Sequence, residues 1–77
     1  MANDGVSEVE VAHLVSMAND IAANFSFHED ASTRTADHIR RFWAPRMRRQ
    51  LLEYVARGSR GLSEIALAAL DELREEV

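Results

Sequence analysis

Histidine is the side chain best suited to bind a metal or pass a proton near neutral pH, and this sequence has three: His13, His28 and His38. No two of them stand at the i, i+4 spacing that puts a ligand pair on one helix face, and no cysteine is present to complete a set. Helical phasing gives His13 a polar face, His28 a loop and His38 the margin of an apolar stripe, which suits surface or packing histidines. Carboxylates come in the pairs Glu29-Asp30, Asp71-Glu72 and Glu75-Glu76. Catalytic carboxylates need a cleft that shifts their pKa, whereas a loop or a chain end offers solvent. Gly58 and Gly61, the clustered glycines, follow no strand and so make no phosphate-cradling loop. No catalytic, cofactor-binding or metal site is therefore expected in this chain. Its expected work is to bind something larger.

The segment His38-Ile-Arg-Arg-Phe-Trp-Ala-Pro-Arg-Met-Arg-Arg49 carries more information. At i, i+4 spacing Asp37 can reach Arg41, and Glu53 can reach Arg49 or Arg57, each pair contributing only ~0.2–0.5 kcal/mol. Arg46, Arg48 and Arg49 fall in or near the first turn of a helix opened by Pro45, where the macrodipole is positive and a cation costs ~0.3–1 kcal/mol. Either a partner supplies the missing negative charge, or Asp20 or an acidic fourth helix supplies it from within the fold. Phe42 and Trp43 both fit a core stripe, yet two adjacent large rings cannot point at one core centre. A ring left outside, beside arginine, has the composition of an interface hot spot. The candidate partner-binding residues are thus Arg40, Arg41, Phe42, Trp43, Pro45, Arg46, Met47, Arg48 and Arg49.

Four helical segments must position these residues, and no strand pattern competes. Val11, Leu14, Val15, Ala18, Ile21, Ala22 and Phe25 recur every three or four residues and predict a first helix over about 7–25. Ser7 with Glu10 makes a capping box, and Val6 can staple to Val11. Residues 26–32 lack periodicity and read as a loop. A second helix spans about 33–43, with Ala36, Ile39, Phe42 and Trp43 along one side. Pro45 ends it and suits the first position of a third helix, so the two meet at a sharp corner. The third helix runs to Arg57 with Met47, Leu51, Tyr54 and Val55 inward, and Gly58 at C′. Ser63 caps a fourth helix, Leu62 can staple to Leu67, and Ile65, Ala66, Ala69, Leu70 and Leu73 form its stripe. Leu52 and Leu67 fall off the main stripes and point to a second apolar surface. The expected fold is an all-α, compact small bundle of three to four helices.

At 77 residues the chain makes at most one domain, expected over 1–77 with 1–6 a flexible N-terminus. Such a chain buries only about 60 % of its unfolded surface. Well-capped helices and association are the ways left to stabilise it without disulfides, so the isolated chain is expected to be weakly stable or to self-associate. The acidic, polar start has no signal-peptide pattern. The longest apolar run, Ile65 to Leu70, is far below the roughly 20 residues of a membrane span. The cytoplasm is the expected compartment, with no membrane partner. All nine basic residues are arginine, and eight lie between Arg34 and Arg60 against two carboxylates, a net of +6. The rest sets one arginine against eleven carboxylates, a net of −10.

Met17-Ala-Asn-Asp-Ile-Ala-Ala-Asn-Phe25, followed by Ala36-Asp-His-Ile-Arg-Arg-Phe-Trp-Ala-Pro-Arg-Met-Arg48, resembles the delta subunit of NAD-dependent, molybdenum-containing formate dehydrogenases. The Phe-Trp-x-Pro-Arg-Met-Arg block is the more specific part, and the likeness extends over about Val11 to Leu73. Ala44 departs from it, standing where that family often has a polar residue able to cap the third helix. The resemblance implies a non-catalytic accessory subunit of an oxidoreductase complex, one that binds the catalytic alpha subunit and supports assembly or stability. It also implies that the molybdenum cofactor, iron–sulfur clusters and FMN belong to the partner subunits and none to this chain. The rival reading is a small helical nucleic-acid-binding module using Arg34 to Arg60. A pI near 5.2 and the absence of lysine weigh against it.

Overall fold

The computed structural model describes residues 8–58 and 60–75. They form four α-helices: α1 Glu8–Asn24, α2 Ala31–Phe42, α3 Pro45–Ala56 and α4 Glu64–Glu75, with no strand among the described residues. α2 packs most extensively on α4, and α1 lies against all three other helices. The all-α bundle read from periodicity is the fold observed. The Ser7 cap, the Val6 staple and the N-terminus over 1–6 lie outside the described residues.

Small side chains allow this packing. Ala18 and Ala22 of α1, Ala36 of α2, and Ala66 and Ala69 of α4 are all buried at the centre of the core. Alanine at a helix contact lets backbones approach closely, so dispersion contacts form along whole turns. Ile39, Leu51, Leu70 and Thr35 are the largest side chains wholly removed from solvent. Leu52 packs against this core rather than on a second apolar surface.

α2 starts two residues earlier than expected, inside the segment read as a loop. Ser and Thr are poor helix formers, so residues 31–35 lack a helical signal. Side-chain hydrogen bonds, two of them tertiary, stabilise the turn instead. Glu72 of α4 accepts from Ser32 Oγ at 3.2 Å and Thr33 Oγ1 at 3.0 Å, and buried Thr35 donates to the Ala31 carbonyl at 2.8 Å. The ends of α3 and α4 follow their sequence signals. Pro45 occupies the first turn of α3, and Gly58 adopts φ +114° just past its C-cap. Ser63 Oγ accepts from the Ala66 amide at 3.2 Å, the N-cap bond expected of it.

Candidate functional site

Two residues make the corner between α2 and α3. Trp43 ends α2 in an extended conformation, its amide donating to the Ile39 carbonyl at 3.0 Å. Ala44 is extended too, as a residue before proline must be. It offers no side-chain cap, and its carbonyl accepts from the amides of Met47 and Arg48. Trp43 is 6 % exposed and Phe42 69 %. Neighbours on a helix diverge by about 100°, so Trp43 shares the inward face of Ile39 while Phe42 leaves the stripe assigned to it. Phe42 instead lies against His38, ring centroids 4.7 Å apart, and His38 meets Phe25 edge-on at 6.3 Å. Phe25 then reaches His28 at 6.1 Å. Histidines that sequence spacing left isolated thus form an aromatic ladder along one flank.

The arginines of the corner divide into two groups. Arg34 donates to Asp30 at 2.7 Å, and that hydrogen bond lowers the Asp30 pKa below its ordinary 3.8. Arg40 and Arg41 converge on Asp37 at 3.0 and 3.3 Å, in the last turn of α2 where cations also suit the dipole. Arg48 is half-buried, and its Nη1 donates to the Arg40 carbonyl at 2.9 Å. That carbonyl is one that the end of α2 leaves without a helical partner. Although Arg48 grows from the start of α3, its cation rests at the negative end of α2. The side chains of Arg46 and Arg49 form no hydrogen bond or ion pair among the described residues, and both are exposed. Neither Asp20 nor α4 neutralises them: Glu72 faces Ser32 and Thr33, and Asp71 pairs with Arg74 at 2.6 Å. Glu53 closes no ion pair with Arg49 or Arg57 among the described residues. Pro45 is exposed and Met47 half-buried against the core.

A second polar cluster fastens the connection between α3 and α4. Asn19 donates to the Gly61 carbonyl at 2.7 Å and accepts from the Ser63 amide at 2.9 Å. The Tyr54 hydroxyl donates to the Arg60 carbonyl at 2.9 Å and accepts from its amide at 3.1 Å. Gly61, at φ +87°, makes the turn that Asn19 grips.

The family described as NADH-dependent formate dehydrogenase delta subunit FdsD matches residues 13–70, three-quarters of the chain. The chain belongs to this family. No curated protein matches it, and no solved structure does. The matched stretch holds both the Asn19 clamp and the Trp43-Ala-Pro45 corner, so the two sequence blocks of the delta-subunit resemblance now have physical roles. One holds the α3–α4 connection to α1, and the other sets the angle between α2 and α3. Among the described residues no group of three or more His, Cys, Asp or Glu could hold a metal ion. No helix among the described residues is long and apolar enough to cross a membrane.

Proposed function

We propose that this delta subunit is a non-catalytic accessory protein that binds the catalytic alpha subunit of formate dehydrogenase and supports assembly or stability of the complex. The reading rests chiefly on Arg46 and Arg49, which stand exposed at the start of α3 with no counter-charge among the described residues. A cation so placed costs ~0.3–1 kcal/mol through the macrodipole. Nothing within the described residues offsets that cost, whereas carboxylates of a partner would. Phe42, exposed at the end of α2, would supply the apolar anchor that such an interface needs. The nucleic-acid reading loses support for the same reason it was raised. Arg34, Arg40, Arg41 and Arg48 are spent on Asp30, Asp37 and a backbone carbonyl.

Arg46→Gln with Arg49→Gln keeps the aliphatic stems and removes both cations. The isolated double variant should melt at or slightly above the parent. Its co-purification with the alpha subunit should fall, and the deficit should shrink as salt rises. Normal assembly of this variant at low salt would defeat the proposal.

A further inference from the structure

An open groove of ≈ 260 Å³ runs between α1 and α3, lined by Glu10, His13 and Leu14 from one helix and Arg46, Met47 and Gln50 from the other. Its floor is apolar: Leu14 is buried, and Met47 packs half-buried against the core. Small-molecule sites occupy roughly 300–1,000 Å³ and enclose most of the ligand. This one is smaller and open to solvent, so it suits one or two side chains of a protein segment. Arg46 and exposed His13 are donors on the rim, and Gln50 can donate beside them. Glu10 is the rim's one carboxylate, and Arg46 forms no ion pair with it.

We infer that this groove receives an acidic segment of the catalytic subunit, an apolar side chain seated on Leu14 and Met47 with an adjacent Asp or Glu on Arg46. The inference rests on the accessory-subunit reading and adds to it the face that is used and the chemistry it recognises. Charge complementarity selects the occupant: the groove keeps an exposed guanidinium that nothing in the described chain neutralises, directly beside an apolar floor.

The chain contains no lysine, which gives a direct test. Gln50→Lys places one side-chain amine on the rim, and carbodiimide couples an amine only to a carboxylate in contact with it. The assembled complex carrying Gln50→Lys is treated and its linked peptides identified by mass spectrometry. His13→Lys repeats the test from the other wall, and Arg57→Lys reports on the far end of α3. Expected is an amide link from positions 50 and 13, and not from 57, to an Asp or Glu of the catalytic subunit flanked by an apolar residue. Coupling only to Glu10 of the same chain, or no coupling while the chain remains in the complex, overturns the groove assignment and leaves the accessory reading standing. A link to a second copy of this chain overturns it in favour of self-association. If the unsubstituted chain is absent from the complex altogether, the accessory reading itself fails and the groove assignment with it.

Discussion

Arg48→Gln separates an arginine that holds the fold from one proposed to face a partner at the same corner. The substitution removes the hydrogen bond from Arg48 Nη1 to the Arg40 carbonyl, 2.9 Å long and open to water. Hydrogen bonds to charged groups contribute ~1.5–3 kcal/mol, and solvent replaces part of that at an exposed carbonyl, leaving a loss of about 1 kcal/mol. The dipole effects nearly cancel, because the cation leaves the favourable end of α2 and the unfavourable start of α3 together, each a matter of ~0.3–1 kcal/mol. For a domain this small a loss of about 1 kcal/mol lowers the melting temperature by ~4–8 °C. Arg46→Gln has only the unfavourable dipole to lose and should leave the melting temperature unchanged or slightly raised. Thermal and urea melts of the two isolated variants, followed by circular dichroism, make the comparison. If Arg48→Gln is no less stable than Arg46→Gln, Arg48 does not hold the corner and the structural role given to it is wrong.

Trp43→Ala should cost ~3–5 kcal/mol and leave the isolated chain largely unfolded by the same melts. Asn19→Ala loses bonds to Gly61 and Ser63, each contributing ~0.5–1.5 kcal/mol; the Ser63 amide should exchange with solvent faster, whereas amides in the middle of α2 should change far less. Asp30 should titrate below 3.8 by NMR, and Arg34→Gln should return it toward that value. Its folded pKa is lowered, so the stability it contributes is present above the unfolded value and lost as pH falls through the folded one.

The sequence made α3 and α4 legible because their boundaries are chemical: Pro45, Gly58 and Ser63 act within a few residues of themselves. The start of α2 was not legible, because the bonds that stabilise it cross from Glu72, forty and thirty-nine residues away from Ser32 and Thr33. The bond from Arg48 to the Arg40 carbonyl was not legible for a related reason. The dipole rule was applied to the helix that bears it, while its cation serves the helix before. The Phe42–Trp43 ambiguity is visible in the sequence, and the fold resolves it by placing Trp43 in the core with Ile39 and leaving Phe42 exposed. Asn19 stood within a recognisable motif, yet its grip on Gly61 and Ser63 appears only once α1 lies beside the connection. Nothing in the sequence pointed to a groove shared by Glu10, His13 and Gln50: Glu10 reads as half of a capping box, and His13 and Gln50 as polar positions on their own helices.

The two-residue corner has a consequence for how strongly so small a surface can bind. Ordering one flexible backbone residue costs ~1–2 kcal/mol, and a loop presenting Phe42, Arg46 and Arg49 would lose that for every residue on docking. Here Trp43 is held in the core, Ala44 is confined by Pro45, and Arg48 ties the two helices together. The backbone that carries the proposed contact groups is therefore already set in place before a partner arrives, and association has only their exposed side chains left to order.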